Sequence, residues 1–232
     1  MKRQSARRRL ARNEENRMKL YDYAHAPNPK RVHIFLAEKG LDMERVPIDL
    51  TKGEQLSEEY MGINPLCQVP VLELDDGTRI SECLAICHYL EEIKPQPNLF
   101  GSNPAERAQV LMWNHIVEQE GIPGLAEALR NRINMFKDHA LPGPVGYAQI
   151  PELVERGRKR SKHFLDFMDR RLGGQDYLAL DRFTVADITL RAAVDMAARM
   201  ASRFDFEVLD GRDALAAWHN RLSERPGIAN AA

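Results

Sequence analysis

The chain of 232 residues is 44% hydrophobic and 29% charged, with a formal net charge of −1, which is typical of a globular protein with one or two domains. It has no apolar run near the ~20 residues that span a bilayer, and no apolar core follows its basic start as in a secretory signal. Its three cysteines lack zinc-site spacing and are too few for a disulfide scaffold, so a reducing, cytoplasmic environment is favoured.

Charge is concentrated in residues 1–17, which hold seven Lys or Arg and two Glu, a net of +5. The remaining residues therefore carry about −6, which argues against nucleic-acid binding by charge. A polar segment without a periodic apolar face cannot bury enough surface to order itself, so we expect a basic, disordered tail. The alternative is that Met18 is the natural start of the protein.

Residues 18–94 alternate between strand and helix patterns. The predicted elements are a strand at 20–23, a helix at 29–39, a strand at 43–48, a hairpin of strands at 71–74 and 78–80, and a helix at 83–93. Gly40 stands where a helix C-cap is expected, and Asp75-Asp76-Gly77 is a hairpin turn signal. This order predicts an α/β domain with a thioredoxin-like fold.

A proline-rich linker at residues 95–103 separates that domain from residues 104–232, where only helical periodicity remains. We predict helices over 104–136, with a break or kink at residues 121–124, and over 150–172 and 214–224. Another helix opens at residues 183–188, where Thr184 and Asp187 can form a capping box and Phe183 can pack on Ile188. The second domain is therefore expected to be all-helical.

Two motifs in the first domain predict a site for a short extended peptide. Val69-Pro70 stands at the mouth of an apolar strand, and an X-Pro bond is the kind that is cheaply cis. A cis bond there would leave the backbone of Val69 free to pair with a ligand as an added strand. Glu82 and Cys83 open the next helix, where unpaired N–H groups favour a carboxylate.

In these motifs and their spacing the chain resembles the cytosolic glutathione transferases, particularly bacterial members of Nu- or theta-like type. The resemblance implies a cytoplasmic homodimer with glutathione as cosubstrate, no permanently bound cofactor and no metal. It implies that Val69 and Pro70 bind the cysteinyl backbone of glutathione, that Glu82 and Cys83 hold its γ-glutamyl end, and that Gln55 and Gln68 bind its glycyl carboxylate.

The family activates the glutathione thiol with a donor placed just after the first strand. Ala26 stands where the serine-type enzymes carry their catalytic hydroxyl, so the chain departs from that pattern. Asn28 becomes the best donor, as in Nu-like enzymes; the alternative is that Asn28 only caps the helix. His25 is a rival base because histidine is the residue type most often used for acid–base chemistry at neutral pH, although a lone loop histidine is more often solvated or part of a pocket wall.

The resemblance implies an enzyme whose glutathione thiolate attacks an electrophile, a disulfide or a peroxide. Because Nu-like enzymes share the asparagine, the resemblance further implies readier disulfide or hydroperoxide reduction than aromatic conjugation. The alternative is a non-catalytic glutathione-binding or regulatory protein, which the missing hydroxyl at Ala26 would suit. The predicted electrophile pocket lies between the domains and is lined by His25, Ala26, Met112, Trp113 and Ile116.

Overall fold

The computed structural model describes residues 18–204 and 206–229; the predicted basic tail lies outside these residues. The first domain consists of β1 (Lys19–Asp22), α1 (Pro27–Lys39), β2 (Glu44–Pro47), a 3-10 turn (Glu54–Leu56), α2 (Glu58–Met61), β3 (Val71–Glu73), β4 (Arg79–Ser81) and α3 (Cys83–Ile93). The elements follow the predicted order, and α3 has the predicted bounds.

The four strands form one sheet in the order β2-β1-β3-β4. β1 pairs in parallel with β2 and antiparallel with β3, where Leu20 lies opposite Leu72, and β3 pairs antiparallel with β4. Leu20 and Leu72 are fully buried in the same hydrophobic cluster as Phe35 of α1 and Ile86 of α3. The thioredoxin-like topology predicted from the sequence is confirmed.

Helix α1 begins two residues earlier than predicted. Pro27 occupies its first turn, and Ala26 is the N-cap with extended backbone at φ −83° and ψ 147°. Proline suits the first helical position and disfavours helical backbone in the residue before it, so Pro27 sets the start. Asn28 is the second residue of the helix, so the alternative that it serves only as the N-cap is wrong. Gly40 ends the helix at φ 57°, as predicted.

The second domain is helical, as predicted. It contains α4 (Pro104–Ile116), a π-helical turn (Val117–Gly121), α5 (Ile122–Arg132), a 3-10 turn (Asn134–Phe136), α6 (Glu152–Leu172), α7 (Val185–Phe204), α8 (Asp213–Ser223) and α9 (Pro226–Ala229). The predicted break or kink at residues 121–124 coincides only at Gly121 with the π-helical turn, which continues directly into the first turn of α5. At Gly121 a Cβ atom would lie 2.6 Å from the Phe164 ring, so glycine permits this close crossing.

The start of α7 is built on the buried carboxylate of Asp187. It accepts hydrogen bonds from the backbone N–H (3.0 Å) and hydroxyl (3.1 Å) of Thr184, and from the N–H of Leu178 (2.8 Å) and the indole N–H of Trp218 (3.0 Å). The predicted reach of Asp187 back to Thr184 is present. The Thr184 hydroxyl, however, donates to Asp187 instead of accepting from its N–H.

The two domains meet along α1. Arg31 donates to Thr189 of α7 at 3.1 Å, and Lys30 pairs with Asp195 of the same helix at 3.0 Å. Near the other end of α1, Glu38 accepts from Arg225 at 2.6 Å. These contacts fix α1 against the helical domain. Because α1 carries Asn28 in its first turn, they also fix one side of the predicted site. Among the described helices, none has the length and apolarity needed to cross a membrane.

Candidate active site

A small cleft lies where the N-terminus of α1, the loop before β3 and the turn before α3 come together. We call it the cis-proline cleft; its lining residues are Asn28, Asn64, Gln68, Val69, Pro70, Ser81, Glu82 and Cys83. The Val69–Pro70 peptide bond is cis, as the resemblance implied. Three segments far apart in sequence therefore converge on one site, and they include most of the residues predicted to bind glutathione.

The loop that carries the cis bond is held by side chains beneath it. The Gln68 carbonyl accepts from the Tyr60 hydroxyl (2.7 Å) and from the Asn64 amide (2.9 Å), while the Asn64 oxygen accepts from the N–H of Leu66 (3.0 Å). Burial raises the pKa of Tyr60, so it stays a hydroxyl donor. These bonds preform the edge on which an extended ligand would pair.

The opposite wall is the turn into α3. Glu82 is its N-cap and has φ 69° and ψ 123°, a backbone conformation that is rare outside glycine. Such a conformation costs about 1–3 kcal/mol and is often found at functional sites. The exposed Glu82 side chain and the unpaired N–H groups at the start of α3 can receive the amine and carboxylate of an amino-acid-like ligand.

Cys83 contributes to the wall from a buried position. Its Sγ lies 3.3 Å from the carbonyl oxygen of Asn28, to which it donates, and burial raises the pKa of its thiol to about 11. Burial also raises the pKa of Cys67 and Cys87. All three cysteines are therefore neutral thiols at pH 7, which disfavours their use as nucleophiles.

Asn28 offers two hydrogen-bond donors at the head of α1. Pro27 and Pro29 have no N–H, so Asn28 supplies the one backbone N–H of the first three helical residues. Its side-chain oxygen accepts from Nη1 of Arg31 at 3.3 Å, which leaves the amide NH₂ available to the cleft. Together with the positive end of the helix dipole, these donors favour a negatively charged group.

The other predicted residues are spread around this centre. Gln55 lies in the 3-10 turn Glu54–Leu56, outside the cleft lining, and its side-chain oxygen is buried without a hydrogen-bond partner among the described residues. The exposed His25 packs edge-on against Tyr23 in the loop before α1, where Ala26 is the N-cap. Their predicted roles as site residues stay predictions.

The three predicted pocket residues on α4 do not line one common surface. Trp113 packs against Phe167 of α6, with ring centroids 6.1 Å apart, and lies under the Arg171 guanidinium at 4.4 Å. Met112 is exposed, and Ile116 packs on the edge of the hydrophobic cluster. Glu118, in the π-helical turn between α4 and α5, instead contacts α1 by pairing with Arg31.

Sequence reasoning missed four residues of this region: Arg31, Asn64, Ser81 and Glu118. Arg31 could have been found from its position three residues after Asn28, which puts both on one helical face. Glu118 lies 87 residues further on, and no local pattern points to it. Within residues 18–204 and 206–229, no three His, Cys, Asp or Glu side chains gather as a metal site would require.

Comparisons with known proteins agree with this arrangement. Residues 25–93 match the model of the glutathione S-transferase N-terminal domain, and residues 133–226 match that of its C-terminal domain. Glutathione S-transferase 2 of Saccharomyces cerevisiae is 35% identical over 219 residues, covering 92% of this chain and 89% of the relative. The chain therefore belongs to the glutathione S-transferase family.

Two further comparisons agree with this family assignment. The crystal structure of Gtt2 from Saccharomyces cerevisiae superposes with a TM-score of 0.83 at 33% identity, covering 92% of this chain and all of that chain. Maleylacetoacetate isomerase of Rattus norvegicus is 46% identical over 100 residues, 42% of this chain and 46% of that protein. These similarities support a glutathione-dependent enzyme of transferase or isomerase type.

Proposed function

We propose that the cis-proline cleft binds glutathione and that Asn28 activates its thiol. In this assignment the cysteinyl backbone pairs with Val69 beside Pro70, and the γ-glutamyl end lies against Glu82 and the start of α3. Gln68, with Gln55 from the neighbouring turn, would receive the glycyl carboxylate. The family membership and the convergence of these segments on one cleft support the proposal.

The observation that carries the proposal is the placement of Asn28. Its amide lines the cleft at the positive end of α1, with its oxygen bound by Arg31 and its NH₂ group donating to none of the residues that the structure describes. A free thiol has a pKa near ~8.5, and hydrogen-bond donors at a helix N-terminus lower it. Asn28 takes over the role that Ala26 cannot fill, because alanine has no donor.

The activated sulfur would act as the nucleophile. In conjugation, the thiolate forms a bond to an electrophilic carbon and the leaving group departs with its electron pair. In reduction, the thiolate attacks one sulfur of a disulfide and expels the other as a thiolate. A second glutathione then resolves the mixed disulfide and leaves oxidised glutathione. We propose that reduction of small disulfides or hydroperoxides is the readier reaction, on the resemblance to Nu-like enzymes, which share this asparagine.

We also propose, on the family resemblance, that the enzyme is a cytoplasmic homodimer of Nu- or theta-like type that takes a small electrophile or disulfide as second substrate. His25, Ala26, Met112, Trp113 and Ile116 are retained as the proposed electrophile side. The exposed positions of His25 and Met112 leave them accessible to such a substrate.

Steady-state kinetics of the wild type and Asn28→Ala test this function. Reduction of a small disulfide and conjugation of a chlorinated aromatic are each measured against glutathione concentration. We expect Asn28→Ala to lower kcat at least ~10-fold while glutathione binding weakens much less, as is typical when a group stabilises mainly the reacting state. Wild-type binding of glutathione without turnover of either substrate would favour the non-catalytic alternative instead.

A further inference from the structure

An arginine behind the cleft determines which end of the Asn28 amide faces the ligand. Asn28 has an oxygen and an NH₂ group that differ little in shape, so either can be turned toward a neighbour. Arg31 has five N–H donors and no acceptor, and its Nη1 lies 3.3 Å from the Asn28 oxygen. The contact is therefore possible only with the amide oxygen on Arg31.

We propose that Arg31 is a positioning residue that holds the NH₂ group of Asn28 toward the glutathione sulfur, an inference that rests on the proposed function of Asn28. Without Arg31 the amide could rotate and present its oxygen to the thiolate, which would repel it. The arginine itself lies behind Asn28 and is 4% exposed, so it acts on the sulfur through the amide.

The Arg31 guanidinium is held by three acceptors, Thr189, Glu118 and Asn28, an arrangement that we call the Arg31 clamp. The Asn28 amide therefore has a partner with a fixed position. Nε donates to the Thr189 hydroxyl at 3.1 Å, Nη2 pairs with the Glu118 carboxylate, and Nη1 serves Asn28. Thr189 in turn donates to the Asn114 oxygen at 2.6 Å, and both of these side chains are fully buried. The Arg31 clamp therefore joins α1 to α4, the π-helical turn and α7.

This geometry requires arginine and not merely a positive charge. The planar fork of Arg31 reaches three acceptors in three directions at once, while a lysine ammonium is a point charge at the end of a flexible chain. We expect a lysine at this position to pair with the Glu118 carboxylate, since a charged partner is favoured over an amide. Arg31→Lys thus keeps the charge and releases Asn28.

The test is the pKa of the thiol of bound glutathione, read from the ultraviolet absorbance of the thiolate during a pH titration. It is measured on the wild type, Arg31→Lys, Asn28→Ala and the double variant. We expect Arg31→Lys to raise the thiol pKa by about 1–2, the shift that corresponds to one lost hydrogen bond to the charged form, and Asn28→Ala to raise it at least as much. In the Asn28→Ala background, Arg31→Lys should add nothing, because its effect passes through the amide.

Each outcome separates the inference from the function on which it rests. If Asn28→Ala leaves the thiol pKa unchanged, the proposed function fails and the inference falls with it. If Asn28→Ala raises the pKa while Arg31→Lys does not, the inference alone is overturned. Equal effects of Arg31→Lys with and without Asn28 would mean that the arginine acts on the sulfur independently, which also overturns it.

Two further variants guard against effects of folding. Thr189→Val removes one acceptor of the Arg31 guanidinium while keeping the side-chain shape. Like Arg31→Lys, it should raise the thiol pKa when Asn28 is present and have no effect in the Asn28→Ala background. Arg225→Lys is the matched control, because Arg225 also joins α1 to the helical domain, through Glu38 near the opposite end of α1. We expect Arg225→Lys to leave the thiol pKa unchanged. If it raises the pKa as much as Arg31→Lys does, the effect of Arg31 comes from joining α1 to the helical domain and not from orienting Asn28.

Discussion

Replacing Asp187 with asparagine should strongly destabilise the helical domain. Each carboxylate oxygen accepts two hydrogen bonds: Oδ1 from Leu178 and Trp218, and Oδ2 from Thr184 twice. The site is fully buried. An asparagine keeps one oxygen and turns its NH₂ group toward the other pair of donors. On the Thr184 side the hydroxyl can reverse and accept from that NH₂ group, so the bond from the Thr184 N–H is lost and the remaining bonds are made to a neutral group.

The magnitude follows from these contacts. A hydrogen bond to a charged group contributes about 1.5–3 kcal/mol and one to a neutral group about 0.5–1.5 kcal/mol, so losing one bond and making the other three neutral costs about 4–7 kcal/mol. Removing the buried charge offsets part of that, because burial raises the pKa of Asp187 and so disfavours its ionised form. We expect the free energy of unfolding to fall by about 3 kcal/mol, more than the ~1 kcal/mol of an ordinary helix cap.

Urea denaturation followed by circular dichroism measures this change. Asp181→Asn is the control, since its side chain is 92% exposed in the loop that precedes α7, and it should leave the midpoint unchanged. Asp187→Ala, which loses all four bonds, should be at least as destabilised as Asp187→Asn. A midpoint for Asp187→Asn equal to that of the wild type would refute the reasoning from the four donors.

Three other predictions concern buried charge and thiols. Although burial raises it, contacts with His219, Arg191 and Lys30 hold the pKa of Asp195 far below its ordinary value. The ionised Asp195 therefore stabilises the fold above its unfolded-state pKa near ~3.9, and this stabilisation is lost as the pH falls from there toward the lower folded-state pKa. Asp195→Asn should make the free energy of unfolding depend less on pH in this acid range; the same acid dependence as in the wild type would contradict the prediction. Lys39→Met should lower the free energy of unfolding by about 3–5 kcal/mol, because it leaves the buried Glu91 carboxylate without its charged partner. In the wild type this carboxylate lies 2.5 Å from the buried Lys39 ammonium. A loss below about 1 kcal/mol in urea denaturation would contradict a stabilising ion pair. Replacing all three cysteines with alanine should preserve the reductase rate, since the reacting sulfur comes from glutathione; loss of that rate with the fold intact would show that the enzyme uses its own thiol.

Local sequence signals were enough to predict the architecture of the first domain. The hairpin turn at residues 75–77 and the helix start at Cys83 depend on neighbours a few residues away, and both were placed correctly. The start of α1 was misplaced because Pro27 and Pro29 both fit a first helical turn. The π-helical turn at Val117–Gly121 has no comparable residue signature, and the glycine and proline residues at 121–124 instead indicate a break or kink slightly further along the chain.

The deeper part of the site could not be predicted because its contacts are distant in sequence. Arg31 meets Thr189 across 158 residues and Glu118 across 87. Apolar periodicity also does not reveal which side of a long helix faces which neighbour. Trp113 was assigned to the electrophile side as an apolar residue of α4, yet its ring packs on α6. Its predicted contact with a substrate awaits a test.

A crystal structure of the protein soaked with glutathione tests the proposed site most directly. We predict that the peptide lies along Val69 in the cis-proline cleft, with its sulfur within about 3.5 Å of the Asn28 amide nitrogen, as a hydrogen bond to sulfur requires. The Asn28 oxygen should remain on Arg31. Glutathione bound with its sulfur on another donor, such as His25, and out of reach of Asn28 would contradict the proposal that this asparagine activates the thiol.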